Sequence, residues 1–429
     1  MYTPFSGADR GRPRSPRFRC STGNGCTLVS PSLVTGLVLS FVLTPAAIFA
    51  DPLRARHFTP STHQGDICVD TPLSITFNQA PLVGATGTIR LYRSTDDTLV
   101  DSIDLGDPNS AKRPIGGAMA GGNPYLFNYY PVLIDHNTAT MYLHRTLDYG
   151  ETYYVLIDAG VFTDSDDDDF RGIHRRGRWQ FTTKDAPPPP GTARLTVDAK
   201  GHGDFCTVQG AVDFVPDNNA QRVRIDVRTG TYSEIVYVNS RKPFITVRGE
   251  DRRRSVIQYA NNNSFNGQVS GLFRAMFGVD ASDFVLENIT LHNTTPYGGS
   301  QAEAFRGYGL HTLLNRVDLS SFQDTLLLQN GGFVTDSSIE GDVDFMWGSG
   351  PVFFDRCELK ALHAGYYTQI RNPQGGRGNV YLNSLLTRAS TLADGTMYLG
   401  RIDPTVFPYS EVVFINTSME GVFNPRLRK

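Results

Sequence analysis

The amino-acid sequence predicts an all-β protein in which a small antiparallel β-sandwich precedes a parallel β-helix. Three observations carry that expectation. Residues 59–184 break into short β-branched and aromatic runs between Gly-, Asn- and Asp-rich turns, with no helical period of useful length. The run Pro187-Pro188-Pro189-Pro190 then interrupts the pattern. From Ala193 onward, short strands recur behind a shared polar-x-x-apolar frame.

Residues 1–50 come first. Arg10 to Arg19 supply positive charge, and Leu33 to Phe49 form an apolar run that ends at Ala50. This reads as a secretory signal peptide cleaved near Ala50. A membrane anchor is the rival reading, but the run is short for a span and contains Pro45. The mature protein is expected to be soluble, with no membrane span, and secreted, at the cell surface or periplasmic.

The runs Leu73–Phe77, Thr88–Tyr92, Met141–His144, Tyr153–Ile157 and Trp179–Thr183 suit a sandwich domain over residues 59–184. Within it, Asp164 to Asp169 invites a calcium reading. Position six of such a loop would be Asp169 instead of Gly and position twelve Arg175 instead of Glu, so a solvated loop is expected and no metal. Residues 185–192 cannot enter a ladder and favour an extended spacer, which marks the boundary with a second domain at residues 193–429.

In that domain Asn288, Arg316, Asp336, Arg356, Asn383 and Asn416 each open a frame, at intervals of 28, 20, 20, 27 and 33 residues. Imperfect periods in the twenties without helices indicate coils that bury their apolar side against neighbouring coils. Asp324 lies eight residues after Arg316, and Asp344 eight after Asp336. With coils about 4.8 Å apart, the two carboxylates should project side by side. Such neighbours do not ionise together easily, so one tends to remain an acid while the other is an anion, giving a proton donor and a nucleophile. An acidic ladder on a solvated face is the alternative, but Phe322, Phe345, Met346 and Trp347 are unusual company for one.

Several segments resemble signatures of the pectin methylesterase family: Gln323-Asp324-Thr325-Leu326, Asp344-Phe345-Met346-Trp347-Gly348 and Tyr398-Leu399-Gly400-Arg401. Gly230-Thr231-Tyr232-Ser233-Glu234 is similar to the family's G-x-Y-x-E, and Gln301-Ala302-Glu303-Ala304-Phe305-Arg306 to its Q-A-V-A-x-R. The resemblance runs in family order from about Leu195 to Met419. It implies a right-handed parallel β-helix and hydrolysis of galacturonate methyl esters in pectin to pectate and methanol. Asp344 would be the nucleophile and Asp324 the acid and then the base. Gln301 and Gln323 would donate to the oxyanion, and Arg401 would pair with Asp344. Phe345 and Trp347 would line the sugar groove, with Tyr308, Tyr366 and Tyr367 as further groove candidates. The implied partner is methyl-esterified homogalacturonan bound by a monomer, without a cofactor. The front domain more distantly resembles bacterial Ig-like modules of secreted enzymes.

Two departures stand out. The family's L-G-R-P-W appears as Leu399-Gly400-Arg401-Ile402-Asp403, so the Trp two positions after the arginine is missing and an acidic group stands nearby. Ten residues follow Met419, where the family continues, so a C-terminal truncation is expected. Action on another acyl ester or thioester, lyase chemistry and pectin binding without turnover are the competing functions. The formal net charge of -3 and the absence of a Lys/Arg stripe argue against a nucleic-acid partner. Cys68, Cys206 and Cys357 allow one disulfide and require none, and Cys357 reads as a buried free thiol.

Overall fold

The computed structural model describes residues 51–166, 168–269, 271–419 and 421. The expected signal peptide at 1–50 and the chain end at 422–429 lie outside the described residues.

The frames of the second half fold into coils whose strands stack in parallel. Nine strands form one face, running from Arg194–Val197 to Val412–Ile415. Their inward positions build an apolar column: Ile225, Val247, Leu286, Leu314, Val334, Phe354 and Tyr381 pair in succession and are buried. The turn out of this face explains the polar residue of each frame. Asn288, Arg316, Asp336, Arg356, Asn383 and Asn416 all have φ between 46° and 55°. That left-handed region favours Asn and Asp, whose short side chains bond locally. Arg356 is tied across coils instead, its Nε and Nη2 donating to the Asp336 carboxylate at 2.8 Å.

The other two faces merge into one sheet. Earlier coils break into two strands at the corner, as in Asp318–Ser320 and Leu326–Leu328, whereas Ser338–Gly348 and Glu358–Ile370 run through it. Asp318 pairs with Ser338 and Leu326 with Met346, so the offset is the same on both sides of the corner.

Residues 51–184 hold a four-stranded and a five-stranded sheet. Pairing is antiparallel except where Gln64–Ile67 meets Gln180–Thr183. Leu73, Ile75, Phe77, Val155 and Phe181 pack with Trp179, whose Nε1 donates to the Pro60 carbonyl at 2.8 Å. The hairpin Lys112–Ala120 and Asn123–Asn128 has another destination. Its Ile115, Ala118 and Phe127 join the core of the β-helix, and Tyr125 stacks on Phe273 at 4.1 Å. A Cys68–Cys206 disulfide, with Cα atoms 5.7 Å apart, adds a covalent tie, and Cys357 is a buried free thiol. Residues from Asp51 onward form one compact unit.

In the acidic loop one carboxylate is buried rather than solvated. Asp164 is 1% exposed; its Oδ1 accepts the N–H groups of Asp166 and Asp168 at 3.0 and 2.9 Å, and its Oδ2 accepts Gln79 Nε2 at 3.2 Å. Asp166, Asp168 and Asp169 stay exposed. No described helix is long and apolar enough to cross a membrane.

Candidate active site

Asp324 and Asp344 occupy equivalent positions of consecutive coils, each two residues before the paired Leu326 and Met346. The Asp324 N–H donates to the Val343 carbonyl at 3.1 Å. Both residues have left-handed backbone, φ 66° and 53°. Pairing of Ser338–Gly348 with the following coil shifts register just before Asp344, between Gly341 and Val343, and again across it, between Val343 and Met346, a device that re-aims a side chain out of the pleat.

The two carboxylates have different surroundings. Asp344 Oδ2 is ion-paired with Arg401 Nη2, while Asp344 Oδ1 has no protein partner. Burial pushes the Asp344 carboxyl up to about 6, against the pull of Arg401 and Arg371. Asp324 Oδ2 accepts Arg274 Nη2 at 2.7 Å, and Arg274 is shared with the buried Glu303. Burial and the Glu303 and Asp344 charges push the Asp324 carboxyl up to about 8, against Arg274 and Arg371. Near neutral pH the site thus favours an ionised Asp344 beside a protonated Asp324.

Gln301 and Gln323 are half-buried, and among the described residues neither side-chain amide has a protein partner. Two concavities adjoin the pair. One, of about 260 Å³, is lined by Gln323 and Val343 together with Tyr297, Phe322 and Asp342. The other, of about 690 Å³, is lined by Gln369, Arg371, Arg401, Asp403 and Phe407.

Trp347 is half-buried, with Arg371 and Arg274 at 5.1 and 5.4 Å from its ring. Tyr308 is half-buried under Arg306, 4.7 Å away. Phe345, expected to line the groove, is instead fully buried, 5.4 Å from the Tyr367 ring, and presents no face to a groove. The left-handed backbone at Asp344 breaks the regular alternation of the strand, and Phe345 and Met346 both enter the core. Tyr367 is also buried and donates to the Thr387 carbonyl at 2.7 Å. Tyr366 is half-buried, stacked on Tyr398 and beneath Arg401. Asp403 is exposed; its carboxylate accepts the Thr405 N–H and hydroxyl at 2.9 and 2.6 Å, which keeps its pKa low. Arg274, Arg371 and Phe407 were not anticipated. Only Glu303 left a sequence signal, as a charge at an apolar position of Q-A-V-A-x-R.

A parallel β-helix with an in-register carboxylate pair, an arginine on each member and uncommitted amides nearby has the makings of a carboxylic ester hydrolase. The Pectinesterase family model matches residues 194–427. Pectinesterase 31 of Arabidopsis thaliana is 33% identical over 241 residues, covering 54% of this chain and 74% of the relative. Probable pectinesterase 55 of the same plant is 31% identical over 251 residues, covering 54% and 72%. The pectin methylesterase from carrot superposes with a TM-score of 0.51 at 26% identity, covering 56% of this chain and 77% of that one. The chain belongs to the pectinesterase family.

Proposed function

We propose that this protein hydrolyses the methyl esters of galacturonate units in pectin, yielding pectate and methanol, with Asp344 as nucleophile and Asp324 as proton shuttle. The observation that carries the assignment is the unequal environment of two in-register carboxylates. Asp344 Oδ1, the oxygen that Arg401 leaves uncommitted, attacks the ester carbonyl carbon. The Gln301 and Gln323 amides donate to the oxyanion, a contribution of about 3 kcal/mol per donor in comparable sites. The carbon–methoxy bond breaks, and the departing oxygen takes the Asp324 proton and leaves as methanol. Asp324, now a carboxylate, removes a proton from water, and the resulting hydroxide attacks the acyl carbon. This frees the Asp344 carboxylate and a galacturonic acid, which loses its proton to solvent to become pectate, and leaves Asp324 protonated as at the start.

Trp347 and Tyr308 are assigned to substrate binding. Phe407, beside Arg371 and Arg401, offers an apolar face in the groove that lacks the family's Trp, and Asp403 biases that groove toward esterified, uncharged units. Export to an oxidising compartment is supported by the apolar leader and the Cys68–Cys206 disulfide. We further assign residues 59–184 as an accessory Ig-like domain, 185–192 as its linker and 193–429 as the catalytic β-helix.

The test is methanol release from highly methylated pectin across pH. The reading expects a bell with limbs near 6 and 8 and no unsaturated sugar. Unsaturated product without methanol would replace it with lyase chemistry.

A further inference from the structure

We propose that Arg274 and Glu303 form a buried positioning pair that orients the Asp324 carboxylate and sets the pH at which it holds its proton; this rests on Asp324 being the acid of the reaction just described. Glu303 is fully buried, in a segment whose family pattern has an apolar residue at that place. A buried carboxylate without a partner is costly, so its presence demands a cation. Arg274 supplies it. Its Nε lies 2.9 and 3.0 Å from the two Glu303 oxygens, and its Nη2 lies 2.7 Å from both Glu303 Oε1 and Asp324 Oδ2. One edge of the guanidinium is therefore locked on Glu303 while a single N–H reaches Asp324.

The arginine is held on every side. Asn261, itself buried, donates from Nδ2 to the carbonyls of Phe273 and Ala275, which flank Arg274, at 2.9 and 2.7 Å. Phe273 is wedged between Tyr125, at 4.1 Å, and Phe127, at 5.2 Å, from the front hairpin. The Trp347 ring covers the guanidinium at 5.4 Å. An arginine fixed in this way cannot swing to follow Asp324; Asp324 must conform to it.

Four charged groups face Asp324: Arg274, Glu303 from the coil before it, Asp344 from the coil after it, and Arg371 from the rim. Glu303 opposes the loss of its proton and Arg274 favours it. The pair thus lets a cation position the acid without stripping its proton. Without Glu303, Arg274 would draw the proton off at a lower pH, against the effect of burial, and leave less of Asp324 as the acid that a departing methoxide needs.

The experiment is the pH profile of kcat for methanol release by full-length wild type, Glu303→Gln and Arg274→Lys, with folding checked by circular dichroism. Glu303→Gln should move the alkaline limb down by about one pH unit or more. Arg274→Lys, which keeps the charge and loses the fork, should lower kcat about tenfold or more with a smaller limb shift. Glu303→Val, an apolar residue as in the family motif, reads the same limb if Glu303→Gln fails to fold. An alkaline limb unmoved in every folded Glu303 variant overturns the pair, provided that wild type is active and Asp324→Asn is impaired. Full activity in Asp324→Asn would instead overturn the assignment of the acid, a separate failure.

Discussion

Removing Arg401 separates the electrostatic role of this residue from a packing role. Asp344 is almost entirely buried, with its side chain 2% exposed, while that of Arg401 is 46% exposed. A neighbouring opposite charge lowers a carboxyl pKa by about 1 to 3 units, and partial exposure of the arginine places its effect near the middle or lower part of that range, about 1.5 units. In Arg401→Met the Asp344 carboxyl would then titrate about 1.5 units above its present value of about 6. At pH 6 the ionised fraction falls from about one half to about 3%, a loss near 15-fold; at pH 7.5 the loss from this cause is only about twofold. Poorer aim of the freed carboxylate adds a factor that is the same at every pH. The assay is kcat/KM for methanol release, wild type over variant, at half-unit steps from pH 5 to 8. The ratio should shrink steadily as pH rises. A ratio that is constant across the range would refute the idea that Arg401 keeps Asp344 ionised.

Other perturbations separate roles in the same way. Gln301→Ala and Gln323→Ala should each lower kcat by about 100-fold with melting temperature unchanged, because neither amide has a protein partner; a drop in Tm with normal turnover would mark them as scaffold. Trp347→Ala should raise KM for pectin, whereas Phe345→Ala should cost about 3–5 kcal/mol in denaturant unfolding, as expected for a core ring. The raised Asp324 carboxyl means that the folded state binds a proton the unfolded chain has released between about pH 4 and 8, so stability falls as pH rises through that window. Asp324→Asn should therefore match wild type in Tm near pH 4 and exceed it at pH 8; parallel curves would show that the carboxyl is not strained. Replacing Cys68 and Cys206 by Ser removes a link across 138 residues and should cost about 3–5 kcal/mol on the chain-entropy scale. Equal midpoints under oxidising conditions would contradict that value.

What could be read from the sequence was whatever repeats. Asn288, Asp336 and Asn383 recur because each coil leaves its long face through a left-handed turn, and that constraint fixes the offset that brings Asp324 beside Asp344. Local alternation was less informative. Phe345 and Trp347 are both aromatic and two residues apart, yet the register shifts around Asp344 leave one in the core and the other beside two arginines. Arg274 reaches Asp324 from 50 residues upstream, through a segment held by Asn261 and Phe273, and nothing in its immediate neighbours distinguishes it from a surface arginine. The hairpin around Gly116, Gly117, Gly121 and Gly122 reads as turn-rich sandwich, but its Ile115 and Phe127 belong to another core. Periodic constraints are visible in one dimension; contacts between distant loops are not.

The most direct test of the central claim is methanol release from methyl-esterified pectin by wild type and Asp344→Asn, both confirmed to be folded. Wild type should release methanol, and the variant should lose more than about 1,000-fold in kcat, because an amide cannot form the acyl-enzyme. Turnover by Asp344→Asn within a few-fold of wild type would contradict the assignment of Asp344 as nucleophile.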